Sequence, residues 1–333
     1  MIKVSIIPAI HPRAYETGEH SSDYMMDQVY HGLRSLPDVQ VKQYPPNPLM
    51  FKTCSKEYLE RGWGKSFTLY GLLDEETDNF ALAESDLIII PLHHTCVNYQ
   101  DGLHRLAYDV IRMFNKPTII IDGWDQPYYN SDLAKTFPYF KRELYDDDSV
   151  AIPIFFGIPK EKFYFGNLNK LYDFSPMVPA NFSWGGVHTS NYIYKTEEEY
   201  YDQYRKSYFG YSCKKGGYAT GRQNEIIAQG CLPYITDIEG YPKNCLFRYP
   251  KELCIEIKKM KGVYPGTINP FNPSVNTFIG DTRQIKEGEE RGCINHDEFD
   301  VNLYYDYVDE IQTYAYTNLT TEALAKYVLE KSL

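Results

Sequence analysis

At 333 residues, with 43% hydrophobic and 24% charged side chains, the chain has the composition of a globular protein and the length of two domains. Its formal charge is −11 and it carries no long Lys/Arg run, which disfavours duplex DNA or RNA as the main partner. No stretch approaches the roughly 18 consecutive apolar residues of a membrane span, so none is expected.

The chain opens with "IKVSIIPAI", a compact apolar run that reads as a buried first strand rather than a signal peptide. "SSDYMMDQVYHGLRSL" follows with Met25, Met26, Val29, Leu33 and Leu36 at helical spacing, and Ser21 or Ser22 is the expected N-cap. "VQVKQY" predicts a second strand, "LDEETDNFALAES" a helix and "DLIIIPL" a buried parallel-type strand. "YQDGLHRLAYDVIRMFN" then predicts a helix and "KPTIIIDGWD" another buried strand. This alternation is the signature of a doubly wound sheet over residues 1–160. The stretch "KRELYDDDSVAIPIFFGIPKEKF" reads as the crossing into a second half. There "YKTEEEYYDQYRKSYFGYS" starts with a capping box, Thr196 with Glu199, and runs into a short aromatic strand near Tyr208–Tyr211. The chain closes on "TTEALAKYVLEKSL", an amphipathic helix with a Thr cap.

Chemistry concentrates in "KKGGYATGRQNEIIAQGCLPYITDIEGYPKN", residues 214–244. A strand ends near Ser212, and a basic, glycine-rich loop follows. Thr220 and Gln223 have the spacing of a capping box and open a helix that stops at Gly230. The next strand carries Asp237 and Glu239 to its C-terminal end. In an open α/β sheet, ligands bind beyond the carboxyl ends of the strands, and a helix N-terminus suits a phosphate. Gly216, Gly217 and Gly221 would let the backbone approach closely, while Lys215 and Arg222 add positive charge. The carboxylates one strand away can accept hydrogen bonds from sugar hydroxyls. Read this way, the segment holds a nucleoside diphosphate. Read without a ligand, the glycines are ordinary helix caps and Arg222 with Glu225 is an exposed i,i+3 pair.

The same segment resembles the donor-binding segment of glycosyltransferases with the two-domain GT-B fold, most closely the exostosin-like enzymes of large viruses and bacteria. In that family an Arg-x-x-Glu helix precedes a "GC-I/L-P" turn and an acidic strand end. Here Arg222, Glu225, Gly230, Cys231, Pro233, Asp237 and Glu239 stand in those places. "DYMMDQVYHGLRSLPDVQVKQYP" and "YFKREL" are also similar to that group. The family often shows an aromatic residue or His just before its Glu, where this chain has Asn224. The resemblance implies an α/β protein with two Rossmann-like domains facing a cleft. Residues 1–160 would form the acceptor side, 161–318 the nucleotide-sugar side, and 319–333 a C-terminal helix. It implies transfer of a sugar from a nucleotide-sugar donor to a glycan, glycoprotein or other hydroxyl acceptor. Lys215, Gly217, Thr220, Arg222, Glu225, Asp237 and Glu239 would bind the donor, with no metal and no other cofactor expected. In inverting members a carboxylate or His from the N-terminal half takes the acceptor proton. His20, Asp23, Asp122 and Asp125 follow predicted strands, and Asp23 is the first choice because it sits at the first strand-to-helix turn. The plainer reading is that Asp23 only favours the helix N-terminus.

Other signals are weaker. "ERGWGKS" ends like a P-loop, but Leu59 stands where the first glycine is required. "HHTC" matches no common zinc spacing, and "CINHDEFD" lacks the glycine and the length of an EF-hand loop. Cys54, Cys96, Cys213, Cys231, Cys245, Cys254 and Cys293 form no CxxC pair, which predicts free thiols in a reducing, cytoplasmic setting. For a chain of viral origin that setting would be the host cytoplasm. Two rival functions remain at this level. A non-catalytic nucleotide- or glycan-binding module would keep the loop and lack the base. A methyltransferase-like Rossmann enzyme would need a glycine-rich loop after the first strand, and "PAIHPRAYETG" is poor in glycine.

Overall fold

The computed structural model describes residues 1–333 apart from 8–22, 45, 61–62, 76–77, 93–108, 111, 148, 176–193, 213, 215, 267–270, 273–276 and 279–290. Six parallel strands build the first sheet: β1 (Ile2–Ile6), β2 (Val39–Gln43), β3 (Leu87–Leu92), β4 (Thr118–Asp122), β5 (Tyr139–Lys141) and β6 (Ile152–Pro153). Their order is β2-β1-β3-β4-β5-β6, so the chain winds one way from β1 to β2 and the other way from β3 onward. β4 is buried along its whole length and β3 along all but its last residue, which is why both read as continuous apolar runs rather than as alternations. The reversal of winding lies between β1 and β3, the place where such sheets open a crevice at their carboxyl ends. Residues 8–22 and 93–108, which follow those two strands in the chain, lie outside the described residues, and His20 is among them.

Helix α1 (Tyr24–Arg34) follows β1 and buries Met25, Met26, Val29 and Leu33 against the sheet. Its cap is Asp23, not Ser21 or Ser22: the Asp23 carboxylate accepts from Met26 N at 3.2 Å. Among the described residues of "LDEETDNFALAES", where a helix is expected, the only helical turn is a 3-10 turn at Leu82–Glu84. The segment's polar groups serve the edge of the sheet instead, with Asp78 accepting from Val41 N at 2.9 Å and Phe80 O accepting from Tyr44 OH at 2.6 Å. Short helices α2 (Lys56–Glu60) and α3 (Ser131–Thr136) complete this half. Of the helix expected before β4, the described residues include helical 109–110 and 112–114, and the rest lies outside them.

A second, three-stranded parallel sheet, β7 (Tyr172–Phe174), β8 (Ser207–Ser212) and β9 (Leu232–Ile235), has β8 at its centre. Helix α4 (Glu197–Arg205) starts at the capping box of Thr196 and Glu199 and leads into β8 from its other end. Helix α5 (Gly221–Ala228) connects β8 to β9 and ends at Gly230, whose φ of +66° a side chain would resist. Helix α6 (Lys251–Ile257) follows, then α7 (Val301–Asn318) and α8 (Thr321–Ser332), which Thr320 caps. Helix α8 returns to the first half and packs on α1 so closely that a Cβ on Gly32 would overlap Thr321 O. One apolar core joins Val4, Val29 and Ile89 to Phe209, Leu232 and Ile235 and to Leu324 and Val328. The molecule is thus an α/β protein with two parallel sheets. Among the described residues no helix is long and apolar enough to cross a membrane.

Candidate functional site

The carboxyl edge of the first sheet gathers an unusual density of buried charge. Asp122, the last residue of β4, is buried and closed in on itself. One oxygen accepts from Tyr139 OH at 2.6 Å, and the other from Lys141 Nζ at 2.9 Å and Trp124 N at 3.0 Å. Lys141 is also buried and spends a further proton on Trp124 O at 3.1 Å. Burial and the neighbouring Asp122 carboxylate hold the Tyr139 phenol firmly protonated. Such a saturated ion pair is stabilised by its own hydrogen bonds and leaves Asp122 no room to act as a base.

Two residues further along, Arg142 and Glu143 reach across to the glycine-rich loop. Arg142 donates from Nε to Gly123 O at 2.9 Å, from Nη1 to Ala219 O and from Nη2 to Asp125. Its guanidinium packs 4.7 Å from the centre of the Phe156 ring. Burial pulls its pKa down, and the nearby carboxylates of Glu143, Asp122 and Asp23 oppose that pull. Glu143 accepts from two consecutive loop amides, Tyr218 N at 2.9 Å and Ala219 N at 3.0 Å. Gly216 lies against Asp125, where an added Cβ would fall 2.7 Å from the carboxylate. Lys214 spreads over Tyr218, 4.2 Å from its ring centre, and over Tyr145 at 5.8 Å. Lys215 lies outside the described residues. Gly217 and Thr220 are therefore placed at a joint between the two halves, and the amides after Gly217 already have an anionic partner.

Helix α5 starts immediately after that joint. Gln223 folds back to accept from Thr220 N at 2.8 Å and donates to Tyr218 O at 3.0 Å, so the expected box is present through Gln223. Gly221 sits against the ring of Tyr24, the first residue of α1, where a Cβ would come within 2.9 Å of the ring. The N-termini of α1 and α5 are thereby neighbours. Asp23 and Arg222, both half-buried, belong to those two turns.

Glu225 departs from the expected exposed pair with Arg222. It is buried and accepts from Thr68 Oγ1 at 2.6 Å and from Tyr200 OH at 2.5 Å. Thr68 in turn accepts from Tyr201 OH at 2.7 Å. With both oxygens accepting from hydroxyls, Glu225 joins segment 65–70 of the first half to α4 and α5. Lys65 and Ser66, the end of the P-loop-like stretch, donate to Tyr194 O at 2.9 Å and to Leu59 O at 2.7 Å. Asp237 and Glu239 are exposed beyond β9, and Glu239 is paired with Lys258 at 2.8 Å. They stand at the strand end the sequence assigns them, and among the described residues no hydrogen bond ties either to the joint.

Another buried acid, Asp27, lies one turn along α1 from Asp23. Its oxygens accept from Asn47 Nδ2 at 3.1 Å and from Tyr70 OH at 2.9 Å. Burial drives its pKa up to about 7, against the Asn47 hydrogen bond, with Asp23 adding to the rise and Tyr70 opposing it.

Sequence reasoning missed Arg142, Glu143, Thr68 and Asp27. The available signal for the first two was three charges in a row after two aromatics in "YFKREL". Among the described residues no group of three or more His, Cys, Asp or Glu could hold a metal ion, and "HHTC" lies outside them. In "CINHDEFD", Asp300 caps α7 by accepting from Asn302 N and Leu303 N, and His296 pairs with Asp173 at 3.0 Å. Compared with known proteins, the chain matches no family model, and no curated protein or solved structure gives a match.

Proposed function

We propose that the protein is a glycosyltransferase of GT-B type that takes a nucleotide-sugar donor at the N-terminus of α5 and an acceptor hydroxyl at the carboxyl edge of the first sheet. The observation that carries this reading is the juxtaposition of Gly221 with Tyr24 and of Gly216 with Asp125. It sets a basic, glycine-rich helix start directly against the acid-bearing edge of a parallel sheet. The donor diphosphate would lie on the first turn of α5. The helix dipole and Arg222 would meet the charge that grows on the leaving group, with Lys214 and Lys215 near it in sequence. Such preorganised positive charge does most where water is excluded, and Arg142 and Glu143, both buried, would close one side of the site.

On the acceptor side, Asp23 remains the candidate base, with Asp125 beside the loop as the alternative because its side chain is 57% exposed while Arg142 holds it in place. Asp122 is withdrawn from that role by its own ion pair. Asp237 and Glu239 remain candidates for sugar or ribose hydroxyls. A non-catalytic nucleotide-binding module is the second reading, favoured by one observation: Asp23 already spends an oxygen on the α1 cap. Release of free nucleoside diphosphate from a panel of uridine and guanosine diphosphate sugars, with simple glycans as acceptors, separates the two. Turnover above the uncatalysed rate supports the transferase. Tight binding of the donors without turnover supports the module.

A further inference from the structure

The contacts of Glu143 are those of a ligand rather than of a side chain at a turn. Two successive main-chain amides aim at it, each meeting a different carboxylate oxygen, and Arg142 Nη1 lies 3.1 Å from Oε1. The residue before those amides is Gly217, and a Cβ there would overlap Oε1. A glycine that permits close approach, consecutive amides turned to one point and a guanidinium alongside are the equipment proteins use for phosphate oxygens. The occupant here is a fully buried carboxylate 75 residues away in the chain, from the far side of the joint. Burying two opposite charges is costly unless every lone pair finds a donor, and a loop that needed only tying could be closed with neutral groups.

We propose that Gly217, Tyr218 and Ala219 with Arg142 form an anion seat of the phosphate class, which Glu143 fills in the unliganded chain and which a nucleotide diphosphate takes by displacing it. This rests on the nucleotide-sugar reading above and adds to it. The seat ends at Ala219, three residues before Arg222, so a diphosphate entering it also meets the first turn of α5. Glu143 is then a built-in competitor: the joint between the halves stays shut while its carboxylate is seated, and the donor pays to open it. Removing the carboxylate charge leaves the two amides without an anion, and Arg142 keeps only Asp125 of its two paired carboxylates.

Two variants test this. Glu143→Gln keeps the shape and removes the charge, and Glu143→Ala empties the seat. Inorganic pyrophosphate, UDP and GDP are titrated into each variant and the wild type by calorimetry and by melting temperature. The expected result is that pyrophosphate binds both variants more tightly than the wild type and raises their melting temperatures more. UDP or GDP should bind Glu143→Gln about tenfold tighter than the wild type, since a competing ligand has been removed. If Glu143→Ala does not fold, recovery of its fold with pyrophosphate supports the seat, and otherwise Glu143→Gln decides. Pyrophosphate affinity equal to or weaker than the wild type's in the folded variants overturns the proposal. Equal nucleotide affinity in wild type and Glu143→Gln overturns the seat and leaves the nucleotide-sugar reading standing. Pyrophosphate filling the variants' seat while no nucleotide binds any of the three proteins leaves the seat standing and removes that reading.

Discussion

Asp27→Asn should remove a component of the chain's stability that falls as pH rises towards neutrality. In the folded protein Asp27 keeps its proton up to about pH 7, while the same acid in the unfolded chain loses it near 3.8. The folded state therefore binds one proton more than the unfolded state between those two values, so stability falls as pH rises. The contribution is fully present below 3.8 and fully lost above about 7. Raising an acid's pKa that far corresponds to about 4 kcal/mol between the two limits. The groups facing Asp27 are Asn47, Tyr70 and the Asp23 carboxylate, of which Asp23 adds to the rise. Asparagine keeps the shape, can accept from Asn47 and donate to Tyr70, and has no proton to lose. Urea unfolding of both proteins at pH 5, 6, 7 and 8 gives the difference in unfolding free energy, in which the remaining titrations cancel. That difference should grow in favour of Asp27→Asn by nearly 1.4 kcal/mol per pH unit at first and level off above pH 7. Parallel curves for the two proteins would show that Asp27 titrates in the folded state as it does in water, and would refute the reasoning.

Three further outcomes follow from the same contacts. Thr68→Val keeps the branched shape and removes the hydroxyl that joins Glu225 to Tyr201, and should lower stability by about 1–3 kcal/mol in urea unfolding. Lys141→Met leaves Asp122 buried without its cation and should cost about 3–5 kcal/mol, part of which returns when Asp122→Asn is added. Turnover of a donor sugar should survive EDTA, since the proposed site neutralises the diphosphate with cationic side chains and helix amides. Loss of turnover in chelator, restored by manganese or magnesium, contradicts that assignment.

Local pattern carried the first sheet well. β3 and β4 announce themselves as apolar runs, Thr196 with Glu199 marks the start of α4, and Gly230 marks the end of α5. What it missed depends on partners distant in sequence. "LDEETDNFALAES" has helical composition, yet Asp78 and the Phe80 carbonyl are taken by β2 and Tyr44, some 36 residues away. Glu225 looks like a surface acid until Thr68, 157 residues distant, supplies its donor. The charges of "YFKREL" look like a solvated strand end until Ala219 and Tyr218 arrive to cover them. The glycine-rich loop was legible as a place where backbone approaches an anion. Which anion the folded chain puts there was not, because Glu143 lies just beyond a strand of the other sheet, 75 residues away.

The central claim is that the first turn of α5 holds a diphosphate through Arg222. Its most direct measurement is a calorimetric titration of UDP and GDP into the wild type and Arg222→Ala, with folding checked by melting temperature. The account predicts saturable binding of at least one nucleotide to the wild type. It also predicts a loss of about 1.5–3 kcal/mol of binding free energy in Arg222→Ala, the contribution of a charge-assisted hydrogen bond. Identical affinity in a folded Arg222→Ala protein, or no binding of either nucleotide to the wild type at millimolar concentration, would contradict it.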